Sequence, residues 1–148
     1  MEKKDLKPAG VFKYFEEICQ VPRPSKKEEK IIAYLKAFGA KHNLETKVDE
    51  AGNVLIKKPA TPGKENLQTV VLQSHIDMVC EKNNDVQHDF LTDPIETEID
   101  GEWLKAKGTT LGADNGIGVA TELAILADDS IEPVSYTHLR AHETKANL

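Results

Sequence analysis

The chain has 148 residues, 39% of them apolar and 30% charged, and a formal net charge of −6. That length and balance fit one globular domain with a core of its own and argue against the disordered and membrane classes. Nucleic-acid binding rests on neutralising phosphates with clustered Lys and Arg, so an acidic chain is a poor candidate for it and a natural host for cations. No run approaches the ~20 apolar residues of a membrane span, and Met1-Glu-Lys-Lys-Asp5 lacks the apolar stretch of a secretion signal; a cytoplasmic location is expected. Cys19 and Cys80 form neither a disulfide framework nor a paired metal-binding spacing and read as reduced thiols.

In chain order, Pro8 to Cys19 places Val11, Phe12, Phe15, Ile18 and Cys19 at helical spacing, and this helix should end before Pro22 and Pro24. Ser25 and Glu28 have the spacing of a capping box. A second helix is therefore expected from Ser25 to about Gly39, with Ile31, Ile32, Leu35 and Phe38 on one face. Glu45 to Asp49 and Asn53 to Lys58 read as a hairpin. After a linker from Lys58 to Asn66, the run Thr69-Val-Val-Leu-Gln73 reads as an interior strand covered on both faces, leading into Ser74-His-Ile-Asp77. Asp100-Gly101 joins Ile95–Ile99 to Glu102–Lys105 as a second hairpin. Ile117, Val119, Ala120, Leu123, Ala124, Ile125 and Ala127 give a third helix from about Asn115 to Ala127. Helices and strands interleave without an internal repeat, so the class is α/β, with helices packed on a mixed, mostly parallel sheet.

His75 and Asp77 stand two apart at a strand end, so their side chains point to one side, where an open α/β sheet keeps its ligand pocket. An imidazole can bind a metal while a carboxylate holds its other nitrogen. Asp114 lies in the glycine-rich run Gly108 to Gly118, where a carboxylate could bridge two cations. Spacing alone leaves blander readings open: His75 as a strand cap, Asp77 as a turn residue, Asp114 as a helix N-cap. The glycine run is not a phosphate site, because it lacks the Gly-Lys-Ser/Thr ending and has Thr121 where a dinucleotide fingerprint needs glycine. His138 and His142 lack the intervening glutamate of a helical zinc motif.

The strings Leu72-Gln-Ser-His-Ile-Asp-Met-Val-Cys-Glu-Lys-Asn83 and Lys107-Gly-Thr-Thr-Leu-Gly-Ala-Asp-Asn-Gly-Ile-Gly-Val-Ala120 resemble the aminoacyl-histidine (Xaa-His) dipeptidases, also known as cytosol non-specific dipeptidases. Val21-Pro-Arg-Pro-Ser25 and Asp49-Glu-Ala-Gly-Asn53 resemble that family and its wider superfamily of metal-dependent carboxypeptidases, acylases and deacetylases. The likeness covers about residues 5 to 132. It implies an incomplete zinc-exopeptidase-like catalytic domain holding two divalent cations, zinc foremost, that hydrolyses small peptides. His75 would be a ligand to one metal, Asp114 the carboxylate bridging both, and Asp77 the catalytic-site carboxylate steadying His75. The resemblance also implies a cis peptide bond from Asp114 to Asn115. Ser74 and Asn115 stand where the superfamily more often has Gly and Asp, while Met78 to Lys82 and Asn115 favour the dipeptidase branch. A glutamate pair supplying the general base, further ligands and a lid or dimerisation domain all fall outside this chain, so the chain alone should be inactive and a homodimer belongs to the full-length protein. Other readings are an acylase or tripeptidase of the same superfamily, or a nonenzymatic remnant. Residues 133–148, with Pro133-Val-Ser-Tyr-Thr-His-Leu-Arg-Ala-His-Glu-Thr144, have no counterpart in the family and read as a foreign tail outside the fold.

Overall fold

A computed structural model of the chain describes residues 2–132 and 136–139. Helix α1, Ala9–Cys19, begins after Pro8 and buries Tyr14, Phe15, Ile18 and Cys19. Helix α2, Glu29–Lys41, buries Ile31, Leu35, Phe38 and Gly39. Its start corrects the capping-box expectation. Ser25 donates to the Asp77 carboxylate at 2.6 Å instead of capping a helix, and the Glu28 carboxylate accepts from the Lys26 N–H at 2.8 Å. Pro24, just before Ser25, pairs with Met78 in an isolated parallel bridge.

Strands β1, Glu45–Val48, and β2, Val54–Lys58, form the expected antiparallel hairpin, with Val48 opposite Val54. Asp49 closes the turn by accepting from the N–H groups of Ala51 and Asn53 at 2.9 and 2.8 Å. Strand β3, Val70–Gln73, runs into the His75 loop. Strands β4, Thr97–Asp100, and β5, Trp103–Ala106, make the second hairpin, closed at Gly101. Helix α3 spans Ala113–Ala127 with non-helical backbone angles at Asp114 and Asn115, so regular helix begins just beyond them.

Residues Tyr136–Leu139 form β6, antiparallel to β2 and parallel to β3, giving the order β1-β2-β6-β3. Their backbone lies between β2 and β3, within the span 133–148 read from the sequence as a foreign tail. Residues 133–135 and 140–148, with the rest of that expectation and His142, lie outside the described residues. The β3–β6 pair is the parallel one among the described strands, so the sheet is mixed, with antiparallel pairs leading where a mostly parallel sheet was expected. The expectation that β3 is covered on both faces is corrected too: Val70 and Val71 are 45% and 49% exposed. A run of apolar residues shows only that a strand can be covered, and here those two side chains stay largely open.

The core joins the layers. Phe15 and Ile18 of α1, Leu35 and Phe38 of α2, Val54 and Ile56 of β2, Ile76, and Val119, Leu123 and Leu126 of α3 form one buried cluster. Each such side chain contributes roughly 1.5–3 kcal/mol by leaving water. The most extensive helix packing is between α1 and α3, and it fixes the axis on which Asp114 is carried. No helix among the described residues is long and apolar enough to cross a membrane.

Candidate metal centre

Just past β3, alternation sends Ile76 into the core at 1% exposure and turns its neighbours His75 and Asp77 the other way. Both line a cleft of about 410 Å³ together with Ser25, Glu28, Val79 and Asp114. His75 Nδ1 lies 3.1 Å from Asp77 Oδ1 and 3.2 Å from the Asp77 carbonyl oxygen. On its far side, His75 Nε2 lies 3.2 Å from Asp114 Oδ1. The three residues singled out in the sequence therefore meet, with Asp77 behind the ring and Asp114 in front.

With Nδ1 donating to the Asp77 carboxylate, Nε2 carries a lone pair aimed at a carboxylate oxygen. Two acceptors facing each other at 3.2 Å are reconciled by a proton or a cation between them. Two atoms each ~2.1 Å from one tetrahedral cation stand about 3.4 Å apart, so the donor set fits a shared dication. The His75 and Asp77 side chains are 27% and 25% exposed, whereas that of Asp114 is 98% exposed and opens on the cleft. Among the described residues the Asp114 carboxylate is engaged through Oδ1. The fit has a limit as well: among the described residues no group of three or more His, Cys, Asp or Glu side chains is placed to hold a metal ion. Among the described residues His75 and Asp114 thus offer two donors, half of what a tetrahedral shell needs.

The peptide bond from Asp114 to Asn115 is cis, as the resemblance implies. Gly112 takes a left-handed conformation, φ 68°, immediately before α3.

Three contributors were missed in the sequence. Ser25 donates to Asp77 Oδ2 at 2.6 Å, occupying the carboxylate oxygen that the ring does not use. Ser74 donates at 2.5 Å to Glu122 of α3, and both are buried, tying the residue before His75 to the helix that carries Asp114. Arg23, 2% exposed, lies beneath the cleft, where burial lowers its pKa from the ordinary range and the charge of Asp77 opposes that shift. The quoted string Val21 to Ser25 contained two of these residues, but nothing in their spacing announced a role.

No family model matches the chain. Over 130 residues, 88% of the chain, it is 51% identical to the cytosol non-specific dipeptidase of Escherichia coli (strain K12) and spans 27% of that protein. The chain is a homologue of part of that dipeptidase. The resemblance to the aminoacyl-histidine dipeptidases is thereby borne out. The crystal structure of aminoacylhistidine dipeptidase from Vibrio alginolyticus matches with a TM-score of 0.92 and 49% identity, over 99% of this chain and 30% of that one. A tripeptidase from Staphylococcus aureus, TM-score 0.70 and 19% identical, and an aminopeptidase from Bacillus cereus, TM-score 0.72 and 21% identical, share the α/β fold. Each of those two is matched over 88% of this chain and 35% of its own length. The chain spans about a third or less of the proteins whose names indicate dipeptidase activity.

Proposed function

We propose that His75 and Asp114 hold a divalent cation, zinc foremost, in the substrate cleft of a cytoplasmic metallo-dipeptidase of broad, Xaa-His-type specificity. The supporting observation is the 3.2 Å convergence of His75 Nε2 and Asp114 Oδ1, with Asp77 on the opposite ring nitrogen. The names of the Escherichia coli and Vibrio relatives support the substrate class. In this reading His75 binds through Nε2, and Asp77 keeps the proton on Nδ1 and the ring in plane. Asp114 would hold the same cation as His75 and, with its second carboxylate oxygen open, could take part in holding another. Bound dications polarise a scissile carbonyl and acidify a water. Ser25 holds the Asp77 carboxylate against rotation, and Val79, 70% exposed at the cleft, offers apolar surface to a small peptide.

Two ligands bind a dication weakly. Residues 1–132 are the metallopeptidase part and 133–148 a foreign tail in this reading. Sequencing the encoding DNA downstream of the Glu132 codon tests that division, and a continuous family-like reading frame through residues 133–148 would remove it. The functional test pairs zinc calorimetry on the chain with H75A and D114A variants, alongside assays of a full-length version against Xaa-His dipeptides and N-acyl amino acids. Zinc binding lost in both variants, and cleavage of dipeptides in preference to N-acyl amino acids, are expected. Zinc binding unchanged in both variants would sink the site.

A further inference from the structure

The His75–Asp114 contact joins two loops 39 residues apart, so something must set the distance between them. Part of the answer is a short pairing on the outer side, where Thr110 N–H donates to the Glu81 carbonyl at 2.8 Å and Thr110 Oγ to the Val79 carbonyl at 2.7 Å. Beneath the site, a single side chain reaches both loops. Arg23 Nη1 donates to the carbonyls of Ile76 and Asp77 at 3.3 and 3.4 Å, and its Nη2 donates to the Gly112 carbonyl at 2.7 Å. The Arg23 carbonyl in turn accepts from the Met78 N–H at 3.0 Å.

The space around the guanidinium is shaped for it. A Cβ on Gly112 would come within 2.6 Å of Nη2, and one on Gly116 within 2.7 Å. None of the ion pairs among the described residues involves Arg23, so this buried cation is spent on backbone carbonyls. Its Nε has no hydrogen-bond partner there either. A buried guanidinium with no directly paired carboxylate is costly, and here its donors go to carbonyls of two chain segments.

We propose that Arg23 is a positioning residue: its planar fork clamps the His75 loop to the Asp114 loop and so sets the spacing at which the two ligands share a cation. The clamp is read from its own contacts; its consequence for cation affinity rests on the metal reading above. Lysine keeps the charge but offers one compact ammonium, which cannot span both loops as the fork does. Arg23→Lys therefore separates charge from geometry.

The test uses the 148-residue chain and NMR. In the wild type the Arg23 guanidinium protons should give separate, slowly exchanging signals. Nuclear Overhauser contacts should link His75 Hε1 to the Asp114 β-protons. In R23K those His75–Asp114 contacts should vanish while contacts between Phe15 and α3 persist. Their persistence in R23K would overturn the clamp. If R23K fails to fold, the wild-type guanidinium signals decide, and rapidly averaged signals overturn it. Zinc calorimetry is read separately: R23K should raise the zinc Kd by about 10–100-fold, the range for residues that orient a ligand from behind. A wild-type chain that binds no zinc defeats the metal reading alone, and the NMR result still decides the clamp.

Discussion

Replacing Asp77 by alanine asks how much of the cation site depends on the carboxylate behind the ring. Asp77 Oδ1 is 3.1 Å from His75 Nδ1, and its Oδ2 accepts from Ser25 at 2.6 Å, so both oxygens are engaged. Both side chains are about one-quarter exposed, which weakens the pair relative to a buried one. The Asp77 carbonyl oxygen, 3.2 Å from Nδ1, remains as a substitute acceptor in the variant. Losses for such supporting groups run ~10–100-fold in metal affinity, and a surviving acceptor places D77A near the lower end, about tenfold or 1.4 kcal/mol. D77N keeps an oxygen for Nδ1–H and turns its amide toward the Ser25 hydroxyl, so it should lose less than D77A. Calorimetric zinc titration of the three chains under one buffer measures this. A D77A Kd within twofold of wild type, or D77N weaker than D77A, would refute the division of labour assigned to the ring.

Burial pushes the Cys19 thiol from its ordinary 9.0 up to about 11, so the folded chain keeps a proton that the unfolded chain loses. That contribution is fully present below pH 9 and lost as the pH rises through 11, and C19A should flatten the decline in urea-derived stability across that window by about 2–3 kcal/mol at most; an equal decline in both chains would contradict it. Gly112→Ala, at φ 68° with its Cβ 2.6 Å from Arg23 Nη2 and 2.8 Å from Met78 Sδ, should cost on the order of 2–4 kcal/mol in thermal or urea unfolding. Gly63→Ala, at φ 87° with nothing within 4 Å, should cost only about 1–2 kcal/mol, and equal losses at the two sites would mean that the space under Gly112 is not filled as described.

Elements defined by their own residues were legible in the sequence. The apolar spacing of Phe15 and Ile18, and of Ile31, Leu35 and Phe38, carries its own period, and both helices bury those residues. The hairpin turns were legible for the same reason: Asp49 and Gly52 in one, and Asp100 and Gly101 in the other, hold local chemistry that dictates local geometry. Misreadings arose where distant neighbours decide. Ser25 has the composition of a helix cap, but Asp77, 52 positions on, claims its hydroxyl. Val70 and Val71 belong to an apolar run, yet burial depends on what packs against the strand, and both are substantially exposed.

The candidate site divides along the same line. A two-residue period and framing glycines drew notice to His75, Asp77 and Asp114, but spacing left blander readings open and their roles came from the resemblance; the structure brings the three together at 3.1 and 3.2 Å, at a strand end facing a helix start. Arg23 was illegible for a physical reason. Its partners are the carbonyls of Ile76, Asp77 and Gly112, and every residue has a carbonyl, so no pattern of residue types marks a position as an acceptor for a buried guanidinium. What sequence could have offered is indirect: Gly112 and Gly116, four apart, leave room where side chains would collide with Nη2. Glycines that admit a ligand and glycines that admit an arginine are written identically. Metal ligands must be particular residue types and so leave a trace in sequence, whereas the groups that space those ligands act through the backbone and become visible only when the chain is folded.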